Sequence, residues 1–263
     1  MQPFVYVLGG TGFIFLMTCL GASTVFVFRK AAPGKFQQIF LGFAAGVMIA
    51  ASVWSLLIPA IEEAENQGHI GWIPAAGGFI FGVLFLLALD KIIPHLHPFS
   101  DTPEGPVTAS KRSTLLIFAV TLHNIPEGMA VGLSFALAAQ HGGESSAYMS
   151  AIALAMGIGI QNFPEGAAIS LPLRQEGVPA VKAFGMGCIS GAVEPVFGLL
   201  TMLLAVWVAP FMPWLLSFAA GAMIYVVVEE LIPEAHLDGH SHAGTLGVMA
   251  GFLIMMVLDV ALG

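Results

Sequence analysis

Charged residues are scarce in this chain, and their scarcity determines its class. Only 9% of the 263 residues are Asp, Glu, Lys or Arg, whereas 57% are hydrophobic. An ordinary soluble domain carries roughly 25% charged residues, and so few charges could not cover a water-exposed surface of this size. The composition therefore predicts an integral membrane protein.

Basic residues and cysteines are rarer still. Eight Lys and Arg stand against sixteen Asp and Glu, a formal net charge of −8, which leaves no basic patch for nucleic acid. The two cysteines, Cys19 and Cys188, lie in apolar runs, so they indicate neither a disulfide scaffold nor a cysteine-based metal site. The chain also lacks a P-loop, so we expect no nucleotide partner.

Long apolar runs are abundant, and they are continuous rather than alternating as in a membrane β-barrel. A helix that crosses the bilayer needs about 20 mainly apolar residues, and eight stretches meet this requirement. We therefore predict an all-α integral membrane protein with eight transmembrane helices, in which residues 1–263 form one polytopic domain. The predicted spans cover about 4–28, 37–61, 72–94, 113–139, 147–171, 178–209, 213–233 and 244–262.

The basic residues all fall on one side of this predicted bundle. They lie at or between the ends of spans 1 and 2, 3 and 4, and 5 and 6. The opposite side carries Glu62, Glu63, Glu65 and Glu144 but no Lys or Arg. Because basic loops face the cytoplasm, both termini are predicted to be extracytoplasmic.

Two polar hexapeptides repeat inside neighbouring spans. His-Asn-Ile-Pro-Glu-Gly occupies 123–128 in span 4, and Gln-Asn-Phe-Pro-Glu-Gly occupies 161–166 in span 5. A weaker match joins 43–49 in span 2 to 218–224 in span 7, although shared small-residue composition could also produce it. A true repeat would give a 3+2+3 arrangement of inverted repeats, which many secondary transporters build around a midplane site.

Ionisable side chains near the middle of a span are costly in lipid and mark functional sites. Glu127, Glu165 and Glu194 lie near mid-span, and His123 shares a helix face with Glu127. Imidazole nitrogen and carboxylate oxygen are ligands for divalent first-row metals. No Lys or Arg is predicted beside these acids, so a cation must supply the compensating charge or some carboxyls must be protonated.

The three prolines inside spans, Pro126, Pro164 and Pro195, adjoin these acids. Each proline leaves the carbonyl four residues earlier without its helical partner, and neighbouring amides add further oxygens. A hydrogen-bonded cluster that only fixes helix packing is the alternative to a metal site. The residues that could surround a cation are His123, Asn124, Glu127, Gln161, Asn162, Glu165 and Glu194.

The paired motifs, together with Glu194-Pro195 in span 6, resemble the ZIP (Zrt-, Irt-like protein) family of divalent metal transporters, and most of all its GufA-like branch. The resemblance covers essentially the whole chain. It implies uptake of a zinc-type metal into the cytoplasm, a dimer, and a transport bundle that moves against a scaffold. It also implies a centre between spans 4 and 5 for two ions, the first held by His123, Glu127, Gln161 and Glu165, and the second by Asn124, Asn162, Glu194 and the motif glutamates.

A path between this centre and the cytoplasm is also suggested by polar residues at helix ends. Stepwise ligand exchange along such residues would let an ion leave, and the alternative explanation is ordinary helix-end polarity and, for Met48, helix packing. The candidates are Met48, Asp90, His95, Glu229 and Glu230.

The expected cargo is Zn²⁺, with Fe²⁺, Mn²⁺ and Cd²⁺ also compatible with the ligand types. We expect no required cofactor and a multi-pass location in a plasma or bacterial inner membrane, as a homodimer in the lipid bilayer. A membrane metalloenzyme is disfavoured, because the chain has no H-E-x-x-H motif and no nucleophile beside a base near the centre. A passive cation channel could use the same ligands, and saturation of uptake would distinguish a carrier from it.

Overall fold

The chain is helical throughout the part that the structure describes. Within those residues no strand is present, in agreement with the predicted all-α class. Among the described residues, six helical stretches are long and apolar enough to cross a membrane, so the protein is a multi-pass membrane protein. The computed structural model describes residues 2–27, 34–92, 112–140, 145–175, 177–235 and 242–262.

The helices follow the predicted apolar segments. In the first half they are α1 (Gln2–Ala22), continued by a 3₁₀ turn (Ser23–Phe26), α2 (Gly34–Ala51), a π-helical segment (Ser52–Leu57), α3 (Ile58–Asn66), α4 (Trp72–Ile92) and α5 (Arg112–Gln140). In the second half they are α6 (Ser145–Gln175), α7 (Ala180–Gly191), α8 (Val193–Val208), a 3₁₀ turn (Ala209–Phe211), α9 (Met212–Val226), a π-helical segment (Val227–Leu231), α10 (Ile232–Ala235) and α11 (Ala243–Leu262).

The sixth predicted span, 178–209, is not one helix but two. Helices α7 and α8 meet at Ala192, whose N–H donates to the carbonyl of Ile189 at 3.1 Å, a 3₁₀-type bond. Pro195 has no N–H to donate to the carbonyl of Gly191, so the α-helical ladder cannot run through this point. The break places Glu194 in the first turn of α8.

The two π-helical segments occupy matching places, each directly before an Ile-Pro pair. One precedes Pro59 and the other precedes Pro233. Because proline removes one hydrogen bond from the ladder, a wider π turn allows the backbone to continue in a new register. Ser55 and Glu230 are buried within these segments.

The helical stretches differ strongly in how much of each is buried in the bundle. The stretches 38–66 and 209–231 are 67% and 61% buried, whereas 4–26, 72–89, 180–204 and 243–262 are only 22–28% buried. The main pairings are α2 with α11, α4 with α9, α1 with α6, and α5 with α8, and α5 also packs on α6. The motif helices α5 and α6 therefore meet each other and are flanked by α8 and α1.

Candidate metal centre

The two motif helices carry their polar residues on buried faces. Asn124 and Glu127 of α5, and Gln161 and Asn162 of α6, have no exposed surface. Both helices continue past a motif proline, Pro126 in α5 and its counterpart in α6. A proline inside a helix and a buried polar side chain can both leave polar groups without partners. Within a membrane such groups are tolerated only where they find other partners or line a polar cavity.

Glu127 and Gln161 join the two motif helices directly. The Nε2 of Gln161 donates to Oε1 of Glu127 at 2.8 Å. The other carboxylate oxygen of Glu127, Oε2, is buried and has no hydrogen-bond partner, and the same is true of the amide oxygen of Gln161, Oε1. The pair thus presents one carboxylate oxygen and one amide oxygen as vacant acceptors.

Glu194 reaches the same region from α8. Its Oε1 accepts from Nδ2 of Asn162 at 3.0 Å and from Oγ1 of Thr18 at 3.2 Å. Its Oε2 and the Oδ1 of Asn162 are buried without partners. The second pair therefore repeats the chemistry of the first, with one carboxylate oxygen and one amide oxygen left over.

Asn124 is held by the end of α7. Its Nδ2 donates to the carbonyl of Ser190 at 3.1 Å. Ser190 lies in the last turn of α7, where carbonyls have no helical donor, so the break between α7 and α8 supplies the acceptor. The Oδ1 of Asn124 is buried and has no partner.

The vacant atoms of this centre are all acceptors. A buried acceptor without a partner is costly, and five of them in one region require an explanation. A cation satisfies such oxygens, and carboxylate and amide oxygens are among the ligands that divalent metals use. The five atoms are Asn124 Oδ1, Glu127 Oε2, Gln161 Oε1, Asn162 Oδ1 and Glu194 Oε2.

The other two predicted ligands are Glu165 and His123. Glu165 is half-buried, and its charge is close enough to act on Glu127 and Glu194. The backbone of His123 lies in α5, but its side chain is outside the described part. Within the described residues no three His, Cys, Asp or Glu side chains are grouped so as to hold a metal ion.

The predicted pathway residues lie in different surroundings. Met48 is 1% exposed in α2, and Glu230 is buried in the second π-helical segment while its neighbour Glu229 is exposed. Asp90 lies near the end of α4, but its side chain is outside the described part. His95 lies outside the described residues altogether.

Two buried polar residues, Thr18 and Asp259, were missed by the sequence interpretation. Thr18 of α1 contacts both Asn162 and Glu194, but a single threonine in an apolar span carries no distinctive signal. Asp259 of α11 accepts from Oγ of Ser55 at 2.6 Å and is 8% exposed. An acid inside the last apolar span could have been found by the same rule that singled out the three glutamates.

These features define a polytopic membrane protein with a buried cluster of carboxylate and amide oxygens. The chain belongs to the ZIP family: the family model described as ZIP Zinc transporter matches residues 100–259. The motif helices and the break before Glu194 fall within the matched part, which also covers the last span up to Asp259.

Full-length relatives agree with this assignment. The zinc transporter GufA of Myxococcus xanthus is 38% identical, over 94% of each chain. Zinc transporter ZIP11 of Homo sapiens is 36% identical, over 97% of this chain and 96% of its own length. Zinc transporter ZIPB of Bordetella bronchiseptica is 40% identical, over 98% of this chain and 81% of its own. The predicted GufA-like membership of the family is therefore confirmed.

Proposed function

We propose that this protein transports divalent metal ions, zinc foremost, across the cell membrane into the cytoplasm through the centre described above. The observation that carries the proposal is the set of five buried acceptor oxygens without partners, in a chain whose relatives are named zinc transporters. Among the described residues no Lys or Arg is buried. In this proposal the cationic substrate supplies the positive charge that these acids need when they are ionised.

The proposed metal-binding residues are the complete predicted set. Glu127 and Glu194 contribute carboxylate oxygens, and the amides between them contribute neutral oxygens that bind without adding charge. Such a mixed set binds an ion without holding it so tightly that release becomes slow. The set is His123, Asn124, Glu127, Gln161, Asn162, Glu165 and Glu194.

We propose that α5 and α6 are also membrane spans, which makes eight with both termini outside the cytoplasm. They contain 29 and 31 residues, which corresponds to about 43 and 46 Å of helix. This exceeds the roughly 30 Å hydrocarbon core of a bilayer. These two helices are less apolar than the other six stretches because they carry the polar motifs of the proposed centre.

Matched helix crossings support inverted repeats in the proposed arrangement of spans. Gly82 of α4 lies against the carbonyl of Phe218 in α9, and Gly251 of α11 lies against the carbonyl of Phe43 in α2. Phe43 and Phe218 are the first residues of the two matching heptapeptides. Because α4 and α11 would cross the membrane in opposite directions, the shared register favours a true inverted repeat over chance composition.

The same register relates polar residues at the two ends of the bundle. Asp90 follows Gly82 by eight positions, and Asp259 follows Gly251 by eight. In the π-helical segments, Ser55 and Glu230 hold equivalent places relative to Phe43 and Phe218. Ser55 and Asp259, which are hydrogen-bonded to each other, thus occupy in one half the positions that Glu230 and Asp90 occupy in the other half.

We propose that the cytoplasmic path runs past Glu230, with Asp90, His95 and Glu229 as further stations and Met48 lining the central helix α2. The buried carboxylate of Glu230 supports this proposal, because a departing ion could exchange ligands with it. The proposed homodimer follows from the family resemblance. The large apolar side chains exposed on α1, α4, α8 and α11 suit contact with lipid.

Zinc uptake by proteoliposomes that contain the purified protein tests this function. Glu127→Gln keeps the shape of the side chain but removes a charge from the centre, so zinc uptake should fall at least a hundredfold while the protein remains folded. Glu62→Gln, at an exposed acid of α3, is the matched control and should transport normally. Saturable uptake is expected for a carrier. Unchanged uptake by Glu127→Gln would contradict the proposal.

A further inference from the structure

Thr18 of α1 belongs to neither motif, yet its hydroxyl lies inside the candidate centre. The residue is fully buried. Its Oγ1 shares one hydrogen between Oε1 of Glu194 and the carbonyl of Ile14, both at 3.2 Å. The same oxygen accepts from Nδ2 of Asn162 at 3.2 Å. The hydroxyl therefore bridges the Asn162 amide and the Glu194 carboxylate by hydrogen bonds.

The helix crossing that places Thr18 matches the crossing that places Glu194. Gly128 ends the first motif and lies against the backbone of Glu194, whereas Gly166 ends the second motif and lies against the backbone of Thr18. In both places a Cβ on the glycine would overlap the partner's backbone. Thr18 thus holds beside α6 the position that Glu194 holds beside α5.

The orientation of Asn162 follows from these contacts. An ionised carboxylate can only accept hydrogen bonds, so the amide must turn its Nδ2 toward Glu194. The Thr18 hydroxyl favours the same orientation, since it accepts from Nδ2 and donates to the carboxylate. Both donors engage Oε1 of Glu194, which leaves Oε2 and the amide Oδ1 without partners.

We propose that Thr18 is a positioning residue of the metal centre, whose hydroxyl holds Glu194 and Asn162 so that Oε2 and Oδ1 remain for the transported cation. This inference rests on the proposed function. It adds α1 to the helices that form the centre, because Thr18 contacts both Asn162 and Glu194. Without the hydroxyl, Glu194 loses one of its two donors and Nδ2 of Asn162 loses one of its acceptors, so both side chains are held less firmly in the binding geometry.

The test compares Thr18→Val, which removes the hydroxyl at nearly constant volume, with Thr18→Ser, which keeps it. Zinc binding by the purified protein should weaken about tenfold in Thr18→Val, equivalent to about 1.4 kcal/mol, and stay within about twofold of wild type in Thr18→Ser. Thr11→Val is the matched control, because buried Thr11 donates only to the carbonyl of Val7 in its own helix. Zinc binding by Thr11→Val should equal that of wild type.

A double-mutant cycle separates positioning from packing. In a Glu194→Ala background, which removes the carboxylate that the Thr18 hydroxyl donates to, Thr18→Val should weaken zinc binding less than it does in the wild type, because only the contact with Asn162 remains to be lost. Equal defects in Thr18→Val and Thr18→Ser, or additive effects in the cycle, would overturn the inference. Failure of the wild-type protein to bind or transport zinc would instead refute the proposed function. If Thr18→Val does not fold, the Thr18→Ser and Thr18→Ala pair in detergent gives the same comparison.

Discussion

Replacing Gly128 by alanine tests how closely the centre depends on helix separation. Gly128 follows Glu127 directly and lies where α5 meets α8. An added Cβ would lie 2.6 Å from Cα of Glu194 and 2.9 Å from its carbonyl carbon. The substitution therefore acts on Glu127 and Glu194 together without removing a polar atom.

The size of the effect follows from these distances. Carbon atoms in contact prefer about 3.5–4.0 Å, so the two backbones must separate by roughly 1 Å. Metal–ligand distances tolerate only about 0.2 Å, so the oxygens of α5 and α8 can no longer meet the same ion. Overpacking costs about 1–3 kcal/mol, but alanine regains about 1 kcal/mol of helix propensity over glycine. Stability should therefore change by about 2 kcal/mol at most, whereas zinc binding should weaken at least tenfold.

Zinc binding, zinc uptake and thermal unfolding of Gly128→Ala should be measured on the same preparation. Gly185→Ala is the control, because a Cβ at this glycine of α7 would have no heavy atom within 4 Å. It should bind and transport zinc as the wild type does. Zinc binding by Gly128→Ala within twofold of wild type would refute the reasoning, since it would mean that α5 and α8 do not form one centre.

Two further substitutions test parts of the proposed mechanism. Gln161→His should bind zinc more tightly and release it more slowly, because imidazole can donate to Glu127 from one nitrogen and offer the other to the metal; equilibrium binding and initial uptake rates decide this, and weaker binding would exclude Gln161 as a ligand. Glu230→Gln should slow uptake but leave zinc binding at the centre intact, and its effect should exceed that of Glu229→Gln, whose residue is exposed; loss of bound zinc in Glu230→Gln would place this residue in the centre itself.

Much of this protein is determined by local sequence patterns. Scarcity of charge and long apolar runs require a membrane-embedded helical fold, because lipid offers the backbone no hydrogen bonds outside a helix or a barrel. The repeated motifs identify Glu127 and its counterpart Glu165 as functional candidates, since acids in an apolar span need a compensating partner. These inferences depend only on composition and on the spacing of residues a few positions apart.

Tertiary structure alone decided which atoms of the centre remain available. The contact between Thr18 and Glu194 joins residues 176 positions apart, and that between Ser55 and Asp259 joins residues 204 apart. Such contacts depend on where helices cross, and the crossings depend on glycines such as Gly128 that meet backbone rather than side chains. Helical periodicity specifies which face of a helix is buried but not which helix will cover it, so the partners of Glu194 emerged only from the packed bundle.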